Sequence, residues 1–269
     1  MIEITGKLIN VFRTEGLLGI KTRFYMRYSK IKYVFLHLAG KSNVVSFYGV
    51  ILKKNWLDAT FRYYVFGSYG TFFSDHLKNK KEEFAFLDIG ANQGLYTLIA
   101  AKNLLCSNAT AFEPVKSTYS LLLENLKINN VSNTCTIINK GIGKSCGIVH
   151  ISVPIQDSGC ASQINHFKSE WETIEQDIEI VNGDFFNELE ISKISCNVIC
   201  KIDVEGKEKD VIKALISSNM INKITEIFYE LDERWADPEE IKGLLGGCGF
   251  NNFHKIGSDP IHYDVLASR

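Results

Sequence analysis

From residue 84 onward the hydrophobic positions fall into short blocks that alternate between two periods. Apolar runs at 84–89, 109–112, 134–138, 198–204 and 224–231 have the length and β-branched content of buried strands. Between them, 95–102, 117–129, 207–217 and 238–245 carry apolar residues at the three-to-four spacing of an amphipathic helix. Two closing strands, 252–256 and 262–267, flank a short turn at 257–260 and read as a hairpin. Strands alternating with helices of this length predict an α/β fold with a mainly parallel, doubly wound sheet and right-handed crossovers.

Two regions break the alternation. Upstream, the β-branched and aromatic stretches 44–48 and 60–65 predict two or three short strands, 69–77 a helix, and the charged run 78–83 a solvated turn. Between 147 and 197, β-like pieces at 148–153, 160–164 and 178–181 are separated by polar loops. An insert of this size commonly covers a ligand site or sets its specificity. The expected organisation is therefore an N-terminal extension over 1–68 and a main domain over 69–269 with an insert at 147–197.

The first 38 residues differ in charge from the rest. Seven basic residues, from Lys7 to Lys32, stand against Glu3 and Glu15 alone, and between Lys21 and Tyr33 they are interleaved with aromatic and aliphatic side chains. A helical arm of this composition suits either an anionic membrane surface or a packing role against its own domain. The membrane reading carries a further expectation, a lipid-linked or polymeric glycan handled at the inner membrane face.

Elsewhere the composition is that of an ordinary globular protein. Of 269 residues, 45% are hydrophobic, 23% charged and only four are proline, which excludes a disordered or collagen-like chain. A net charge of −1 provides no global field for recruiting nucleic acid, and no nucleic-acid partner is expected. The seven cysteines are odd in number and lack a CxxC pair, so reduced, mostly buried thiols are expected. No signal-peptide pattern and no apolar run of about 20 residues is present, which places the chain in the cytoplasm.

Three constellations carry chemistry. The first strand runs into Asp88-Ile89-Gly90-Ala91-Asn92-Gln93-Gly94 before a helix. Gly90 and Gly94 allow a sharp turn and close ligand approach, and Asn92 is the non-glycine residue best suited to a left-handed conformation. The spacing is not the GxGxxG that seats a pyrophosphate, and Asp88 precedes the glycines where it could accept from an ammonium group. At the end of the second strand, Glu113 in Ala111-Phe112-Glu113-Pro114 stands where nucleotide-binding sheets hold ribose hydroxyls. Together the two acids fit an amino acid joined to a nucleoside.

The third constellation is Lys201-Ile202-Asp203-Val204-Glu205-Gly206, in which strand alternation would put Lys201, Asp203 and Glu205 on one face. Lys201 is expected to form an ion pair with one of the acids, because an unpaired buried charge is costly. Glu230, on the next strand about 4.8 Å away, could approach Asp203 or Glu205. Clustered carboxylates raise one another's pKa, which suits a general base; a divalent ion is the less favoured reading and no metal site is assigned.

The stretches LDIGANQG, AFEPVKSTYSLLLENLKIN and KIDVEGKEKDVIKAL, in this order, resemble the FkbM family of S-adenosylmethionine-dependent methyltransferases over residues 70–267. The resemblance implies a Rossmann-like class I methyltransferase fold, a seven-stranded sheet whose last strand is antiparallel. It implies that Asp88, Gly90, Ala91, Asn92 and Gly94 meet the methionine part of S-adenosylmethionine, that Glu113 meets its ribose, and that Pro114, Gly141 and Ile142 flank adenine. Acceptors in the family are largely hydroxyl groups of sugars, polyketides and related molecules. Asp203 is then expected as base or orienter beside the cofactor, with Glu205 and Glu230 shaping the acceptor site. N-methylation of an amino sugar or amine, a non-catalytic cofactor-binding module and a dinucleotide oxidoreductase are the competing readings; the missing GxGxxG disfavours the last. A homo-oligomer is compatible with the sequence.

Overall fold

The computed structural model describes residue 40, residues 42–161 and residues 171–269, and the basic arm expected over 1–38 lies outside them. Its central feature is a seven-stranded sheet built from β3 (Phe84–Ile89), β4 (Cys106–Phe112), β5 (Cys135–Ile138), β9 (Asn197–Ile202), β10 (Ile224–Asp232), β11 (Asn252–Ile256) and β12 (His262–Ser268). The order across the sheet is β11-β12-β10-β9-β3-β4-β5. β3 lies inside the sheet between β4 and β9, parallel to both, and β10 continues the parallel set. β12 runs antiparallel to β10 and to β11, so the chain closes in the expected hairpin. This is the Rossmann-like class I methyltransferase topology.

All six residues of β3 are buried, which is why its first four positions read as an apolar run rather than an alternation. Ala85, Leu87 and Ile89 join Val198, Cys200 and Ile202 in the main core with Val211, Ile212 and Leu215 of α5 (Glu208–Ser217) and Ile241 and Leu245 of α6 (Pro238–Gly246). Phe86 is near Phe73 of α2 (Phe72–Lys78), whose ring stacks on Phe228 at 4.1 Å. The remaining helices are α3 (Leu95–Ala101) and α4 (Lys116–Ile128), which follow β3 and β4.

The segment 60–65 departs from expectation. It is not a strand but the body of α1 (Ala59–Phe66). The caps outweigh its β-branched and aromatic composition: the Asp58 carboxylate accepts from Thr60 N at 3.1 Å, and Gly67 ends the helix in the left-handed region at φ +77°. Upstream lie the short strands β1 (Asn43–Val45) and β2 (Ile51–Lys53). β2 is clamped onto α4 by two asparagines one turn apart: Asn125 Oδ1 accepts from Lys53 N at 2.7 Å, and Asn129 exchanges both of its amide bonds with Ile51. Residues 45–68, counted above with the extension, lie in the same compact unit as the sheet, Val45–Arg269.

The insert's two strands form a three-stranded sheet with a short strand just ahead of them, in the order β6 (Gly141–Ile142), β8 (Thr173–Val181), β7 (Gly147–Pro154). The strand expected over 160–164 is largely outside the described residues, and Ser158–Cys160 is a single 3₁₀ turn. No helix among the described residues is long and apolar enough to cross a membrane.

Candidate active site

The glycine turn leaves the carboxyl end of β3, an interior strand of the parallel set, where open α/β sheets bind ligands. Gly90, Asn92 and Gly94 all have positive φ, at +84°, +51° and +88°. Asn92 thus adopts the left-handed conformation expected of it. At Gly90 a second constraint is added, because the loop beyond β9 crosses directly over it. Asp203 N donates to Ile89 O at 3.0 Å, and a Cβ built on Gly90 would lie 1.8 Å from the Asp203 carbonyl oxygen. Gly90→Ala is therefore expected to cost about 2 kcal/mol or more from the strained φ and the backbone overlap. Urea denaturation checks this, and an unchanged midpoint would show that the two loops separate at little cost.

Glu113 is buried and braces this turn. One carboxylate oxygen accepts from Asn92 N at 2.7 Å; the other accepts from Val115 N at 2.9 Å and Thr118 Oγ1 at 2.8 Å. Burial raises its pKa, and these donors pull it back. A carboxylate has about four acceptor positions, so one remains for a ligand hydroxyl.

Asp88 is placed differently from the sequence expectation. It does not line the cavity above the glycine turn but lies beneath it, with Oδ2 accepting from Thr97 Oγ1 at 2.5 Å. The ammonium group it faces is that of Lys201, whose Nζ is 3.7 Å from Asp88 Oδ1, 3.1 Å from Asp203 Oδ2 and donates to Gly90 O at 3.2 Å. The expected ion pair of Lys201 is thus present twice over. Burial alone would lower the Lys201 pKa, but Asp203 and Asp88 more than offset this and hold it above its ordinary value.

The alternation expected from Lys201 through Glu205 stops early. β9 ends at Ile202, and Glu205 and Gly206 form a left-handed turn at φ +52° and +87°. Glu208 pins that turn, its Oε1 accepting from Val204 N and Gly206 N at 3.2 Å each. The turn, rather than a shared strand face, brings Glu205 to Asp203. With Glu230 from β10 they form a cluster in which one oxygen of each lies within 4.8 Å of the others. Two of the three already have a cation, Lys201 at Asp203 and His262 at Glu230, 2.7 Å away. A divalent ion is therefore not needed to supply their counter-charge.

Burial and then mutual repulsion raise the pKa of both Glu205 and Glu230. Asp264, paired with Glu230 across β10 and β12, is pushed up to about 7 by burial and then by Glu230 and Asp203. Burial likewise raises Glu208 to about 7. Acids raised on folding contribute stability that is fully present below their unfolded pKa, about 4, and lost as pH rises through the folded value. The unfolding midpoint is expected to fall between about pH 5 and pH 8, and Asp264→Asn to flatten that fall. Urea midpoints across this range test it; equal slopes in both proteins would remove Asp264 from the cluster.

A cavity of about 340 Å³ runs from the glycine turn to this cluster. Gly90, Ala91, Asn92 and Glu113 line one part, Pro114, Gly141 and Ile142 another, and Asp203, Glu205 and Glu230 a third. Gly94 and Asp88 stand outside the lining. The insert contributes Val149, Ile151, Ile178 and Ile180 to the apolar part, and the segment before β3 contributes Thr60, Tyr64 and Tyr69. Sequence reading missed the phenols of Tyr64, Tyr69 and Tyr96, and also His262 and Asp264. Tyr96 follows the glycine turn by two residues and was within reach of the sequence; the others arrive from distant segments.

It also missed a polar knot that ties these segments together. Asp58 accepts from Ser158 N at 3.0 Å, from Ser158 Oγ at 2.7 Å and from Gln93 Nε2, and Ser158 Oγ also lies 3.2 Å from Asn92 Oδ1. Thr60 Oγ1 donates to Asp157 at 2.8 Å and accepts from Gly159 N at 2.9 Å.

Other candidates lie elsewhere. His76 pairs with Glu226 at 2.5 Å, His150 with Asp177 at 2.8 Å, and His254 stacks on Phe72, all away from the cavity lining; His166 is outside the described residues. The cysteines are free thiols, but only Cys106 and Cys200 are fully buried and Cys146 is exposed, so burial is less general than expected.

A sequence profile of the methyltransferase FkbM domain matches residues 88–251, which takes in the glycine turn, Glu113, the Asp203 loop and Glu230. The chain belongs to the FkbM methyltransferase family. Among relatives of this FkbM methyltransferase, Methyltransferase 1 of Beauveria bassiana is 26% identical over 181 residues, covering 61% of this chain and 71% of that protein. The hexuronic acid methyltransferase AglP of Haloferax volcanii is 25% identical over 169 residues, covering 63% of this chain and 64% of that protein. Among solved structures, the METTL16 methyltransferase domain aligns with a TM-score of 0.48 at 13% identity, covering 90% of each chain.

Proposed function

We propose that this methyltransferase uses S-adenosylmethionine to methylate a hydroxyl group on a sugar, a glycan or another small acceptor. The observation that carries the reading is the continuity of the 340 Å³ cavity, which joins the glycine turn and Glu113 at one end to three carboxylates at the other. The residues present fit the cofactor. Glu113 keeps an acceptor position for a ribose hydroxyl, and Pro114, Ile142, Ile178 and Ile180 form an apolar slot suited to a purine. When bound, the cofactor supplies an electrophilic methyl group. The protein's task is to hold the acceptor oxygen in line with it and to take up a proton.

Asp203 is the residue assigned to that proton. It lines the cavity, and its ion pair with Lys201 at 3.1 Å fixes its orientation. Glu205 and Glu230, raised by burial, are placed to hydrogen-bond neighbouring hydroxyls of the acceptor. The sugar preference is also supported by the hexuronic acid methyltransferase relative. N-methylation of an amino sugar is the second reading, favoured by the surplus of carboxylates at that end.

Calorimetric titration with S-adenosylmethionine and S-adenosylhomocysteine tests the cofactor assignment. Micromolar binding is expected, weakened about tenfold or more by Glu113→Gln, because one acceptor site becomes an amide and the brace on Asn92 is disturbed. No binding by folded wild-type protein would overturn the proposal.

A further inference from the structure

A second cavity, of about 430 Å³, adjoins the first and shares Tyr69, Gly159, Glu205 and Glu230 with it. Its volume is within the range of small-molecule sites, about 300–1,000 Å³. Two kinds of side chain dominate the lining. The first is aromatic: Tyr63 and Tyr69 meet edge to face with centroids 5.9 Å apart, and Trp235 adds an indole. These three residues keep 41%, 44% and 43% exposure.

The second kind is acidic. Asp157, Glu205, Glu208, Glu230 and Asp232 line the cavity against two cations, Arg234 and His262. Both cations are already engaged. Arg234 Nε donates to Asp232 at 2.8 Å and 3.0 Å and its Nη2 donates to the same carboxylate, while His262 is held by Glu230.

Resting on the methyl-transfer reading, we infer that the second cavity receives the acceptor and that the ring it takes is a sugar without an acidic substituent, uncharged or bearing an amine. Aromatic rings match the apolar faces of a pyranose, and carboxylates accept from its hydroxyls. A uronate or a sugar phosphate would bring a further negative charge among five carboxylates whose nearby cations are already paired. In this the chain would differ from a methyltransferase acting on hexuronic acid.

The test uses the whole chain with S-adenosylhomocysteine and follows saturation-transfer NMR of methyl glucoside, methyl glucosaminide and methyl glucuronide. The first two are expected to bind, with the glucuronide about tenfold weaker or worse. Trp235→Ala should remove most of the sugar signal and Trp235→Phe restore it. Asp232→Asn, which releases Arg234, should narrow the gap for the glucuronide. Equal or better binding of glucuronide, no binding of any of the three, or indifference to Trp235→Ala would overturn the inference. Calorimetry of S-adenosylhomocysteine on the same samples reports separately on the methyl-transfer reading.

Discussion

Lys201→Met is expected to destabilise the protein by about 3–5 kcal/mol, the usual cost of leaving a buried charge without its partner. Lys201 is 4% exposed, Asp88 is 1% exposed, and Asp88 Oδ1 has no hydrogen-bond partner among the described residues, so the ammonium 3.7 Å away is its compensation. Asp203 would lose its 3.1 Å contact at the same time, and Gly90 O its donor. The sign of the pH dependence follows. Burial already raises Asp88 above its ordinary value, and without Lys201 it rises further. A carboxyl raised on folding is most favourable below its unfolded pKa of about 4, so the deficit should be small in acid and grow towards neutrality. Urea denaturation at about pH 4.5 and pH 7.5 measures it, and Asp88→Asn on the Lys201→Met background should recover part of the loss. A deficit under about 1 kcal/mol at both pH values would mean that water reaches Asp88.

Asp203→Asn is expected to lower kcat by about 10²–10⁴-fold, the range for removing a general base, while S-adenosylhomocysteine affinity changes only a few-fold. Asparagine keeps the size of the side chain and its contact with the cavity but cannot take the proton. The measurement is steady-state turnover with the acceptor found by the sugar panel, alongside calorimetry. If Asp203→Asn keeps full turnover at unchanged cofactor affinity and Glu205→Gln loses it, the base is Glu205, whose pKa burial and its acidic neighbours raise.

How much of this was legible in the sequence depends on how local each cause is. β3 and β9 were readable because strands buried on both faces leave runs that are apolar but for one charged residue each, and the strand ends bring Gly90, Asn92, Glu113 and Asp203 around one point. α1 was misread because its side chains favour strand while its caps, Asp58 and Gly67, specify helix; the capping signal was local but was outweighed by composition. Glu205 was given the right neighbours for the wrong reason, since a left-handed turn and not strand alternation brings it to Asp203. Asp88 was assigned to a ligand because the lysine that faces it is more than a hundred residues away in sequence. His262 and Asp264 depend on the β10–β12 register, and Tyr64 and Tyr69 on how α1 docks, neither of which any short window encodes.

The polar knot around Asp58 has a consequence for anyone wishing to recombine such enzymes. Swapping the insert of one family member into another is an obvious way to change acceptor, because 147–161 carries much of the wall. In this chain Ser158 gives Asp58 two hydrogen bonds and Gln93 a third, and Asp58 is 2% exposed. A transplanted insert lacking a hydroxyl at 158 would take one donor away from that buried acid next to the glycine turn. The exchangeable module is therefore not the contiguous stretch but a discontinuous set, the insert together with residues 58, 60 and 93, and chimeras should carry all of them or none.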